Sequence, residues 1–135
     1  MGDRGNIKVV DHKGRAVYVY GHWQGGDLPG VARRALIAAD LKDARGNRWD
    51  DAPYLTAFVA REMDDRADGW PGCAIATYIP DNEYPVVIFD TRDQTVRLAD
   101  CDWDTRAETE RPDHWSMREV AESGDPAALL GWTES

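Results

Sequence analysis

Apolar positions along the chain switch between a spacing of two and a spacing near 3.6, and each switch is marked by Gly, Pro, Asp or Asn. Ile7 to Val10 reads as a short strand. Asp11-His12-Lys13-Gly14 is a turn in which Gly14 can take positive φ. Ala16 to His22 is a second strand, rich in Val and Tyr. Val17 and Val19 lie on one side of it and Tyr18 and Tyr20 on the other, so cover is expected on both faces. The two strands form a hairpin. Gln24-Gly25-Gly26 breaks it, and a helix opens at Asp27 or Leu28 with Pro29 in its first turn. Leu28, Val31, Ala35, Leu36 and Ala39 share one side of this helix, which ends before Gly46. Asp50-Asp51-Ala52-Pro53 opens a second helix with a capping carboxylate and a proline in the first turn. Leu55, Phe58, Val59 and Met63 form its apolar face.

After a loop at Asp68-Gly69-Trp70-Pro71-Gly72, Cys73 to Ile79 reads as a third strand. Residues 80–85 connect it to Val86-Val87-Ile88-Phe89, the most apolar strand, expected near the sheet centre. Thr91 to Gln94 turns the chain, and Thr95 to Ala99 alternates, with Val96 and Leu98 facing inward. Residues 100–115 are polar and acidic and read as a loop. Ser116 and Glu119 form a capping box that opens a short helix stopping at Gly124. Asp125-Pro126 caps a last turn near Gly131, which makes 116–131 a C-terminal helical segment. The order ββααβββα predicts an α+β domain over residues 1–135, an antiparallel sheet of about five strands with helices packed on one face. If the last three strands form a meander, Cys73 and Cys101 lie at opposite ends of the sheet, beyond the ~7 Å reach of a disulfide.

A chain of 135 residues has room for one domain. It contains no apolar run of ten residues, so neither a membrane span nor a secretory signal core is expected. The net charge of −9 argues against direct contact with nucleic-acid phosphates. Cys73 and Cys101 form no Cys-x-x-Cys pair and two cysteines alone make no zinc site. No cofactor is expected, and without a signal peptide the reducing cytoplasm is the expected compartment.

Candidate chemistry gathers in two places. Tyr20-Gly21-His22-Trp23-Gln24-Gly25-Gly26 ends a strand in an imidazole and an indole, just ahead of a helix N-terminus that favours anions. Asp27 opposes an anion there, and the glycines do not make a G-x-G-x-x-G fingerprint. His22 could act as a general acid–base, with Asp81 or Glu83 orienting it or holding a metal. No His-x-x-x-His or equivalent is present, so no metal is expected. The second place is Asp100-Cys101-Asp102-Trp103-Asp104. Its acids are spaced like the start of a calcium loop, but Thr105 and Arg111 stand where Gly and Glu belong. The six tryptophans fall mostly in loops or at element ends, where indoles either lid a core or form an interaction surface.

The lead-in Gly2-Asp3-Arg4-Gly5-Asn6 with Ile7-Lys8-Val9, the strand end Tyr18-Val19-Tyr20-Gly21-His22-Trp23, the segment Arg48-Trp49-Asp50-Asp51-Ala52-Pro53-Tyr54-Leu55 and the loop Asp81-Asn82-Glu83-Tyr84-Pro85 resemble a family of small proteins of actinobacteria, halophilic archaea and their phages. The likeness spans roughly residues 1–100. The resemblance implies no activity, only a cytoplasmic protein, in the host cytoplasm or the virion if phage-encoded. The favoured reading is a non-catalytic acidic binding protein that makes protein–protein contacts through Trp103, Asp100, Asp102, Asp104 and Trp70. Host or defence modulation, or a place in a virion, are roles a phage or mobile-element product of that kind would have. The alternative is a small hydrolase or ligand-binding enzyme using His22 with Asp81 or Glu83. Convergence of those three side chains in one pocket separates the two readings.

Overall fold

The computed structural model describes residues 2–64, 69 and 71–132. Strands β1 (Gly5–Val10) and β2 (Ala16–Gly21) form the expected hairpin, with Ile7 opposite Val19 and Val9 opposite Val17. The Asp11 carboxylate closes its turn by accepting from the Lys13 and Arg15 amides, and Gly14 sits at φ +79°. A single 3-10 turn (Gly25–Asp27) leads into α1 (Leu28–Ala39), and α2 (Ala52–Met63) follows. Asp51 caps α2 by accepting from the Tyr54 amide, as the Asp-x-Pro start predicts. Next come β3 (Cys73–Ala76), β4 (Val86–Asp90), β5 (Thr95–Cys101) and β6 (Glu108–Ser116). The chain ends with α3 (Met117–Glu122), opened by the Ser116/Glu119 capping box, and α4 (Pro126–Leu130), which closes on Gly131 at φ +64°.

The fold is α+β, but its sheet corrects the expected one in three respects. It has six strands in the order β3-β2-β1-β4-β5-β6. It is mixed, because β1 and β4 pair in parallel while every other neighbour pair is antiparallel. Finally, β3 does not join a β3-β4-β5 meander; it pairs with β2 at the far edge. Cys73 and Cys101 are accordingly not at opposite ends. Following the registers across the sheet from Cys73 through Gly21 and Gly5 leads to the row beside Cys101, at the same end. Four strand spacings separate them, roughly 19 Å on a flat sheet, and they form no disulfide. The segment expected as an acidic loop at 100–115 is largely strand, with β6 paired to β5 through a bulge between Arg97 and Ala99.

All four helices pack on one face, as expected, against Ile7, Val9, Val19, Val87, Phe89, Val96 and Leu98. Trp49 is sealed into this core and donates its indole N–H to the Leu36 carbonyl. Phe89 is wholly buried at its centre, where truncation to alanine costs about 3–5 kcal/mol. The other face has a smaller core of Val10, Tyr18, Ile79, Val86, Ile88 and Ala99. Parallel β1 and β4 require a crossing connection, and residues 77–85 provide it on this second face, with Ile79 as the buried anchor. Glu108, near the start of β6, bonds Lys8 on β1 and Tyr18 on β2, so the β5–β6 hairpin curls over the same face.

Candidate functional site

The strand end singled out by its sequence is tightly furnished. Gly21 leaves room for Met63, whose sulfur lies 2.5 Å from where a Cβ would stand. The Nδ1 of His22 lies 2.8 Å from the Tyr20 hydroxyl. Trp23 meets the imidazole edge-on with ring centres 4.6 Å apart. Gly2 packs on its other side, where an added Cβ would lie 2.6 Å from Nε2. A shallow hollow of about 320 Å³ remains beside His22, bordered by Pro71, Gly72, Cys73 and Ala74.

Asp3 fills the anion position ahead of α1. Its amide donates to the His22 carbonyl at 2.7 Å, and its own carbonyl accepts from Gly25 at 2.7 Å. One carboxylate oxygen accepts from the Gly26 amide at 2.9 Å, and the other accepts from the Tyr84 hydroxyl. The Gly25 and Gly26 amides ahead of α1, which could otherwise receive an anion, are thus held by the carbonyl and the carboxylate of Asp3.

Asp81 and Glu83 are engaged by arginines. Asp81 pairs with Arg4 at 3.0 Å and with Arg106 at 3.6 Å. Glu83 accepts from the Arg4 amide at 3.1 Å. The wholly buried Asn6 staples this loop under the sheet, donating from Nδ2 to the Asp81 carbonyl at 2.6 Å and to Asn82 Oδ1 at 3.1 Å. Neither Asp81 nor Glu83 borders the hollow beside His22. They act on it at one remove: burial, then the Asp81 carboxylate, raises the pKa of the Tyr20 hydroxyl, with Arg4 opposing. Among the described residues, no three His, Cys, Asp or Glu side chains converge as metal ligands.

The second sequence candidate forms the tip of the β5–β6 hairpin. Trp103 is 65% exposed there, with the Arg106 guanidinium 5.6 Å from its ring centre. Arg106 takes φ +62°, a left-handed conformation that costs a non-glycine residue on the order of 1 kcal/mol. Asp102 accepts from the amides of Asp104 and Thr105, both at 2.9 Å, and the Thr105 amide is the main influence lowering its pKa. Asp100 is held by Arg111 across the hairpin at 2.7 Å, which likewise lowers its pKa. Asp104 is exposed. A cleft of about 320 Å³ beside the tip is bordered by Glu83, Tyr84, Pro85, Asp100, Trp103 and Arg111. Trp70 lies outside the described residues. Of the other indoles, Trp49 is core, Trp115 packs against it, Trp132 stacks on Tyr84 and Trp23 is 49% exposed.

Sequence reasoning missed the parts contributed by β6 and the turn that leads into it. Arg106 and Arg111 temper the acidic tip, and Glu108 ties Lys8 to Tyr18. The alternation of charged residues around Pro112 was the available signal, since edge strands carry such residues. Compared with family models, curated proteins and solved structures, the chain finds no match. Among the described residues, no helix is long and apolar enough to cross a membrane.

Proposed function

We propose that the protein is a non-catalytic binding module that meets a basic protein partner through the tip of its β5–β6 hairpin. The observation that carries this reading is Trp103. A large indole held 65% in solvent, on a turn fixed by Asp102 and stacked by Arg106, is preorganised to be buried by something else. Buried tryptophans at interface centres are worth about 2–4 kcal/mol each. The chain's net charge of −9 steers a basic partner towards it, and Asp102 and Asp104 stand on either side of Trp103 in the chain. The occupied corner at His22 gives the hydrolase reading less support, because Asp3, Arg4 and Arg106 already hold the groups a reaction would use. We place the module in the cytoplasm of the cell that makes it, or in the host cytoplasm or virion if a phage encodes it.

The test is capture of partners from the native host by the tagged full chain. The variant carrying Trp103→Ala, Asp102→Lys and Asp104→Lys should lose the partner recovered by the parent. Undiminished recovery rejects the hairpin tip as the contact.

A further inference from the structure

A groove of about 480 Å³ lies on the helix side of the sheet, between the first turns of α2 and the hairpin strands. Val9, Val17, Ala52, Pro53, Ile75 and Thr77 border it. Val9 is buried, while Ile75 stands at the rim, 56% exposed. Thr56, also on the wall, donates its hydroxyl to the Ala52 carbonyl at 2.7 Å. The only charged groups bordering the groove are Asp11 and Arg15, at one end. Their bonding is unequal. Asp11 is saturated, accepting from the Lys13 and Arg15 amides and from Arg15 Nε, each at 2.9 Å. Arg15 gives Asp11 its Nε alone, and its two terminal nitrogens meet no acceptor among the described residues. Asp50, the nearest exposed carboxylate, borders the neighbouring hollow and not this groove.

We propose that this groove binds an acyl carboxylate, an unbranched apolar chain whose carboxylate is held by the terminal nitrogens of Arg15. The length of the chain follows from the register. Ile75 stands opposite Val19, four residues along β2 from Arg15, which is roughly 13 Å of strand. An extended hydrocarbon built of bonds of about 1.5 Å advances about 1.3 Å per carbon, so a chain of about eight to ten carbons spans the groove. Its walls remove the chain from water, and a few polar groups at one end fix its direction. Charge selects the headgroup. A carboxylate can accept from both free nitrogens of the Arg15 fork. An ammonium would be repelled by that fork and would find the oxygens of Asp11 already engaged. An alcohol offers a single neutral acceptor. The net charge of −9 opposes any anion at long range, but physiological salt screens it beyond about 8 Å, whereas Arg15 is in direct contact.

Methyl NMR of the full chain at neutral pH and physiological salt follows the Val17 and Ile75 methyl groups during titration with octanoate, octanol and octylammonium, which share one tail. Octanoate should shift both residues saturably, with a Kd of about 1 mM for its ten heavy atoms. It should bind at least fivefold tighter than octanol, and octylammonium should bind weakest. Arg15→Met, which keeps an apolar stem at an exposed site, should bring octanoate to within twofold of octanol and leave octanol unchanged; Arg15→Lys should keep part of the preference. Ile75→Glu, which sets a carboxylate at the exposed rim, should weaken octanoate at least tenfold. Absence of saturable shifts up to about 10 mM octanoate, ten times that Kd, overturns the proposal. So does octanol or octylammonium binding as tightly as octanoate, a preference for octanoate that survives Arg15→Met, or tighter binding of an uncharged apolar peptide, which would make the groove a peptide site. None of these readouts involves the hairpin tip, so the two proposals fail separately.

Discussion

Replacing Asp3 by alanine removes the acceptor that holds the lead-in against the head of α1. Two donors lose it: the Gly26 amide at 2.9 Å and the Tyr84 hydroxyl. Hydrogen bonds to a charged group contribute about 1.5–3 kcal/mol each. Asp3 and Tyr84 are only half-buried, so water can replace part of what is lost, and the lower end applies. The expected cost is about 2–3 kcal/mol. For a chain of this length that lowers Tm by roughly 6–12 °C. In urea the midpoint should fall with an unchanged slope, since the buried surface is the same. Asp3→Asn, which keeps one acceptor oxygen, should cost about half as much. A double-mutant cycle with Tyr84→Phe should return a coupling of about 1 kcal/mol, because the hydroxyl and carboxylate are direct partners. A midpoint equal to the parent's, or zero coupling, would mean that the lead-in is not seated at this corner and that Asp3 does not fill it.

The neighbouring Gly25 and two contacts elsewhere in the sheet give three further outcomes. Gly25→Ala should cost about 1–3 kcal/mol, because its Cβ would lie 2.6 Å from the Tyr84 ring and 2.8 Å from the Asp3 carbonyl; unchanged thermal stability refutes that packing. Arg92 first, then Arg97, holds the nearly buried Asp90 carboxyl far below the usual range. Its contribution is complete above the unfolded carboxylate value near pH 4 and fades as pH falls below it. Asp90→Asn should cost about 2–3 kcal/mol at pH 7, since Arg92 is half exposed, and should flatten the loss of stability between about pH 4 and 2; a parallel pH profile contradicts this. Burial, then Glu108, raises the pKa of the Tyr18 hydroxyl. Absorbance titration of Tyr18→Phe should therefore lose the last phenol to ionise, and the parent should lose stability as pH rises past about 10; removal of an ordinary phenol instead refutes the contact.

What the sequence made legible is what local chemistry decides. The Asp-x-Pro start of α2, the Ser116/Glu119 box, the last helical turn ending at Gly131 and the apolar run of β4 near the sheet centre each act within a few residues, and each stands where it was read. Strand partners are a different matter. Nothing within Cys73–Ala76 distinguishes pairing with β2 from pairing with β4, because that choice belongs to the crossing connection anchored by Ile79 on the far face. β6 was hidden because an edge strand needs few apolar residues, and Pro112 with its charged neighbours reads as loop. At the corner, residue types drew attention to His22, Asp81 and Glu83. The residues that decide its character are Gly2 and Asp3, whose placement depends on the chain returning over the end of β2.

Partner capture with two variants in parallel addresses the whole account: the hairpin-tip triple variant, and a corner variant carrying His22→Ala, Asp81→Asn and Glu83→Gln. The tip variant should lose the partner, and the corner variant, where it remains folded by circular dichroism, should keep it. Retention by a folded tip variant together with loss by a folded corner variant would place function at His22 and contradict the account.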